Sequence, residues 1–177
     1  MEFRTAAAPH AAPVTSVPRV MRHVLYALAP AAIVYTWFFG WGLLINFTIA
    51  VLFALLTEAA MLKLRGRPLR RSLLDGSALV TAALLSFALP PLLPWWIPAL
   101  GAFVAICLAK QLYGGLGKNL FNPAMVAYVF LLVSFPIEMT QWIPPRMGDI
   151  DYVHLGFLAS LDYAFAGRLP AALTLDA

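Results

Sequence analysis

The chain has 177 residues, of which 62% are apolar and 11% charged, with a formal net charge of +4. Long apolar runs between short charge clusters exclude an ordinary soluble domain and mark an integral membrane protein whose first partner is the lipid bilayer. One cysteine and three scattered histidines exclude an internal disulfide and give no metal-ligand spacing, and basic residues placed where membrane topology wants them require no nucleic acid.

Residues 1–22 are rich in Ala and Pro, carry Arg4, Arg19 and Arg22, and read as an irregular cytoplasmic arm. A first span is expected over about 23–40, retained rather than cleaved, with Trp37, Phe38, Phe39 and Trp41 at its far interface. A second is expected over about 43–62, after the Gly40-Trp41-Gly42 turn. Glu58 lies near its end, where pairing at the interface with the following basic loop is the expected role. That loop holds Lys63, Arg65, Arg67, Arg70 and Arg71, five cations in nine residues, and is cytoplasmic by the positive-inside rule.

Asp75-Gly76-Ser77 opens a third segment over about 77–93, Asp75 either capping its helix or reaching a ligand. A fourth follows over about 95–109, and no charged side chain occurs from Gly76 to Ala109. Both are short for full spans, and Pro90, Pro91 and Pro94 separate them, the pattern of broken helices lining a site. Cys107 reads as a small buried residue in the fourth. A fifth span is expected over about 123–140. Charge then changes sign: ten cations and three anions up to Lys118 give way to two and five after it, so residues 142–177 are expected outside. There Tyr152–Gly167 is expected as an interfacial helix, with Leu155, Leu158, Leu161 and Phe165 at near-helical spacing. The predicted fold is an all-α polytopic membrane protein with a five-span domain over 23–141, one half of an inverted repeat.

The stretch from Lys110 to Met125 is where glycines, amides and a lysine gather between two apolar segments. Gly114, Gly115 and Gly117 allow positive φ and close approach of a ligand, Lys118 adds a cation, and Asn119 and Asn122 each offer a donor and an acceptor. Asn122-Pro123 reads as the cap and first residue of the next helix. Two readings stay open from the residues alone: a cradle for a planar, amide-rich ligand, or a glycine turn with a good helix cap. The common phosphate fingerprints do not fit.

Lys110-Gln-Leu-Tyr-Gly-Gly-Leu-Gly-Lys-Asn-Leu-Phe-Asn-Pro-Ala124 closely resembles the signature of the RnfD family. Trp37-Phe-Phe-Gly-Trp-Gly42, Asp75-Gly-Ser-Ala-Leu79, Pro90-Pro91 with Pro94-Trp-Trp96, and Ser134-Phe-Pro-Ile-Glu-Met-Thr140 extend the likeness in order along the chain. That family comprises membrane subunits of the Rnf/Rsx electron transport complex and is related to the B subunit of the sodium-translocating NADH:quinone reductase. The resemblance implies a flavin-carrying subunit of a redox-driven ion translocase, inactive alone, working with the other Rnf/Rsx subunits in a bacterial inner membrane. It implies a urea-transporter-like fold, the N-terminus cytoplasmic and the last segment periplasmic. It implies covalent FMN on a threonine of a Ser/Thr-x-Ala-Thr motif, expected beyond Ala177 because the sequence stops at Leu175-Asp-Ala177. By motif match it implies riboflavin near Asn119 and Asn122, with Tyr113, Leu120 and Phe121 as apolar walls. Two other functions compete: half of a small-solute channel or transporter of that same fold, and a structural membrane subunit without cofactor.

Overall fold

The computed structural model describes residues 16–146 and 155–168, and every regular element among them is helical. The axis is α2, Gly42–Leu64, whose 23 residues contain no proline. Among the described residues it is the helix long and apolar enough by itself to cross a bilayer. Its buried positions include Gly42, Asn46, Ala50, Ala54, Glu58 and Leu62. These are steps of four, so one face of the helix carries small and polar side chains from end to end. Small residues on that face let neighbouring helices approach closely.

Two helices occupy it. α4, Ser77–Ala88, runs antiparallel to α2. Asn46 Nδ2 donates to the Pro90 carbonyl at 2.9 Å at one end, and Lys110 joins Glu58 to Ser77 at the other. α5, Trp96–Gln111, comes back parallel to α2; its second half, Val104–Gln111, is π-helical. Ala50, Ala54, Ala78, Ala82, Ala102 and Ile106 form the seam among the three. Gly42 sits where α2 meets the turn after α4: a Cβ there would lie 1.8 Å from the Pro91 carbonyl oxygen. α6, Pro123–Ser134, closes the opposite side of α4 and α5 around Leu85, Ile97, Val104, Leu131 and Met139.

Helices fall on each of the five expected segments, with altered bounds. α1, Val17–Phe39, begins six residues before the expected first span, so the end of the arm is helical rather than irregular. α1 has no buried residue and is fastened by Tyr35, whose hydroxyl donates to the Leu89 carbonyl at 3.3 Å and whose ring meets Phe87 edge-on. A five-residue helix, α3 (Leu69–Leu73), follows the basic loop. The third expected span stops at Ala88, and residues 89–95 are non-helical. The fifth is interrupted at Phe135, whose backbone leaves the helical region (φ −135°, ψ 60°) before α7, Pro136–Thr140. A proline disfavours helical geometry in the residue before it, which explains the break.

The last helix differs most from expectation. α8, Phe157–Ala166, packs against the start of α2 and Trp95 instead of standing apart from the other helices; residues 152–154 of the expected helix fall outside the described residues. Its start meets Trp41 through Phe157, Ala164 joins Ile45, Ile49 and Ala99, and Phe165 stacks on Trp95. α8 therefore follows the first turns of α2 in the same direction. Its Ala164 carbonyl accepts the Trp95 N–H at 2.9 Å, just before α5 begins. The two short helices meet head to tail, which aligns their dipoles and satisfies backbone groups at a break between helices. Leu155, Ser160 and Ala164 are the buried positions, while Leu158 and Phe165 of the expected apolar stripe stay exposed.

Candidate functional site: a glycine loop over a buried charge cluster

The loop between α5 and α6 rests on a polar cluster that the sequence did not announce. Glu58 and Lys110 are each almost fully buried, with 1% and 2% of their surface exposed, and their Nζ–Oε1 distance is 2.5 Å. Lys110 also donates to Ser77 Oγ at 2.7 Å, and Gln111 Nε2 donates to the same Glu58 oxygen at 3.1 Å. The Ser77 hydroxyl and backbone N–H in turn both donate to Asp75 Oδ1. Asp75 thus caps the start of α4, as one of its two expected roles. A buried ion pair is tolerable only when its remaining valences are filled; Ser77 does that on the lysine side and the Gln111 amide at one oxygen of the glutamate. Glu58 Oε2 takes no partner among the described residues.

The expected role of Glu58 is therefore corrected. It pairs with Lys110, not with the basic loop at an interface, because its place on the small-residue face of α2 turns it inward. The π-helix makes the arrangement possible. Leu112 N–H donates to the Cys107 carbonyl and Gly115 N–H to that of Lys110, both five residues back. Successive side chains in an α-helix point about 100° apart. The wider turn brings the consecutive Lys110 and Gln111 onto one acceptor, and such segments recur at functional sites. Cys107, only partly buried, rests its sulfur 3.7 Å from that of Met61.

The loop has the backbone its glycines predict. Gly114, Gly115 and Gly117 have φ of 106°, 100° and 83°. Gly114 N–H donates to the Gln111 carbonyl and Lys118 N–H to that of Gly115, so the turn closes on itself. Two arginines fasten it from outside. Arg65 Nη1 donates to the Gln111 carbonyl at 2.6 Å and reaches its side-chain oxygen at 3.4 Å; Arg67 Nη1 donates to the Gly114 carbonyl at 3.0 Å. Both arginines leave α2 through a left-handed Gly66 (φ 60°), where Arg67 N–H bonds Leu62 O and Gly66 N–H bonds Lys63 O. That pair of bonds is a Schellman stop, and it folds the chain back toward the loop.

The expected amides are partly spent within the loop. Asn119 Nδ2 donates to the Phe121 carbonyl at 2.9 Å. Asn122 Oδ1 accepts the Ala124 N–H at 3.0 Å, which makes it the cap of α6 with Pro123 first in the helix. Among the described residues, Asn119 Oδ1 and Asn122 Nδ2 have no partner. Lys118 is exposed, and its stem lies against Gly114. Beside the loop an open apolar groove of about 810 Å³ runs between α5 and α6, lined by Leu112, Tyr113, Phe121, Asn122 and Met125 among others. Asn122 reaches it and Asn119 does not line it. Of the expected apolar walls, Tyr113 and Phe121 line it, while Leu120 points to the exterior with 75% of its surface exposed.

Among the described residues, fold and site define an all-helical arrangement built on one helix long and apolar enough to cross a membrane, with a charge cluster buried beneath a glycine loop at one end. A sequence model of the NQR2, RnfD, RnfE family matches residues 4–174, and the chain belongs to that family. It is 51% identical over 165 residues to the D subunit of the ion-translocating oxidoreductase complex of Aeromonas hydrophila, covering 93% of this chain and 47% of that protein. The proteins of the same name from Aliivibrio salmonicida and Shigella dysenteriae are each 47% identical, over 94% and 95% of this chain and 47% of each relative. The chain thus spans about half the length of the curated relatives it matches.

Proposed function

We propose that this chain forms the first half of a membrane subunit in an Rnf/Rsx-type complex. Such a complex couples electron transfer between ferredoxin and NAD to movement of sodium or protons across a bacterial inner membrane. The observation that carries the reading is the likeness along nearly the whole chain to proteins named as a subunit of an ion-translocating oxidoreductase complex. In this reading five segments cross or enter the membrane as one half of a urea-transporter-like repeat. The basic loop and the glycine loop then lie on the cytoplasmic side, and α8 enters from the periplasm.

We further propose that the glycine loop holds a flavin, riboflavin or FMN, without a covalent bond. Two features of the loop suit it. Asn119 Oδ1 and Asn122 Nδ2 offer the acceptor and donor that the uracil-like edge of an isoalloxazine needs, and the groove beside Asn122 has apolar walls wide enough for a planar ring. When bound, the flavin supplies the redox chemistry. Asn122, which lines the groove, would hold the ring edge, with Asn119 in the adjoining loop, and Tyr113 and Phe121 would keep water from the ring's face. A covalent FMN, which the resemblance implies, would be a flavin distinct from the one proposed here.

The test is flavin release from the complex purified from membranes through this subunit, precipitated to separate free from covalent flavin. Asn122→Ser keeps an oxygen for the Ala124 N–H but removes the amide NH₂. Loss of released flavin in Asn122→Ser, with the complex still assembled, is the expected result. Released flavin equal to that of the unsubstituted complex would refute the loop as its site. Solute flux through liposomes without redox substrates would favour a transporter instead.

A further inference from the structure

We propose that Arg65 and Arg67 are positioning residues for the glycine loop, holding it in the one shape that presents Asn119 and Asn122 to the ligand. The inference rests on the flavin reading above but adds a part that neither composition nor the loop motif contains. Residues 114–117 hold three glycines, and an unrestrained glycine backbone samples many conformations at similar free energy. Few side chains restrain this one: Leu116 and Leu120 are exposed, and no atom lies within 4 Å of a Cβ built on Gly117. The turn's own backbone bonds close it, and what holds it against the helices comes from outside the loop.

It comes from the end of α2. The guanidinium of Arg65 meets both oxygens of Gln111, and Gln111 is tied through Glu58 to Lys110, the two residues at which α5 ends. Arg67 grips the Gly114 carbonyl, three residues further on. The buried ion pair therefore fixes the base of the loop, Arg65 its first carbonyl and Arg67 its first glycine. Charge-assisted bonds of this kind are the stronger members of their class, and the planar guanidinium of arginine is pre-organised for them, so it loses less freedom per bond than a lysine ammonium would. The Arg65 contacts are partly buried and that of Arg67 is exposed, so screening weakens the second more. The Schellman stop at Gly66 lets both side chains reach the same loop from opposite sides of a tight turn.

The experiment uses the intact complex from membranes and reads two quantities. Amide hydrogen exchange over residues 112–119 reports loop opening directly; released flavin and its absorbance band report the ligand. Arg65→Ala is expected to speed exchange roughly tenfold or more, and Arg67→Ala less, with flavin occupancy falling in the same order. Arg65→Lys, which keeps a charged donor but not the planar guanidinium, is expected to restore most of the protection and of the flavin. Unchanged exchange in Arg65→Ala would overturn the clamp. Faster exchange with flavin retained at the original occupancy and spectrum would overturn its role toward the ligand. If the unsubstituted complex holds no releasable flavin, the loop-flavin reading fails by itself, and the exchange measurements still decide the clamp.

Discussion

Replacing Lys110 by Met removes the cation from Glu58 while nearly preserving volume. Glu58 is then left with 1% of its surface exposed and only the Gln111 amide as a partner. Breaking a buried pair from one side costs about 3–5 kcal/mol, because the remaining charge is desolvated and uncompensated. At roughly 2–4 °C per kcal/mol for a chain of this size, the midpoint of thermal unfolding should fall by about 6–20 °C. The assay is the fraction of detergent-solubilised complex that stays monodisperse after heating. The second arm is the double replacement Lys110→Met with Glu58→Leu. Exchanging both members of a buried pair for apolar residues is close to neutral or stabilising by about 1–4 kcal/mol. The double variant should therefore be more stable than either single one. If Lys110→Met lies within about 0.5 kcal/mol of the original, the range of surface changes, the pair is not buried as described. If the double variant is as unstable as the two losses added, Glu58 and Lys110 do not interact and the reasoning fails.

Three more perturbations test separate parts of the fold. Gly42→Ala drives a methyl into the Pro91 carbonyl at 1.8 Å, so assembled, monodisperse protein should fall sharply, by more than the ~1–3 kcal/mol typical of overpacking; normal yield would mean that α2 does not meet the turn after α4. Asn46→Leu leaves the Pro90 carbonyl without its 2.9 Å donor and should cost about 1–3 kcal/mol in thermal unfolding, with an unshifted midpoint counting against that contact. Asn122→Ala should lose about 1 kcal/mol of stability as well as flavin, whereas Asn122→Ser should lose flavin alone. Equal stability of the alanine and serine forms would remove Asn122 from the cap.

What could be read along the chain was local. Asn122-Pro123 specified its cap, Asp75 the start of α4 and the three glycines a positive-φ turn, because each depends on residues one to four positions away. The breaks at Pro90–Pro94 were visible for the same reason. The burial of Glu58 was also within reach: Gly42, Asn46, Ala50 and Ala54 stand at steps of four on its face, and nothing on that stripe faces lipid as a large apolar side chain would. That signal was overshadowed by the five cations that follow. The partner was not readable. Lys110 lies 52 residues from Glu58, and the five cations of the basic loop, all nearer, offered the same charge.

The apolar class of the chain, its central helix, its caps and the glycine turn are written along the chain, since periodicity and local backbone preference encode them. Which cation enters the core, how the end of α8 meets the start of α5, and the hold of the α2 arginines on the glycine loop were set by packing alone. Those outcomes depend on the rotation and depth at which helices pack, and on a π-helical turn that shifts Lys110 and Gln111 onto one carboxylate. No short window of residues carries that information.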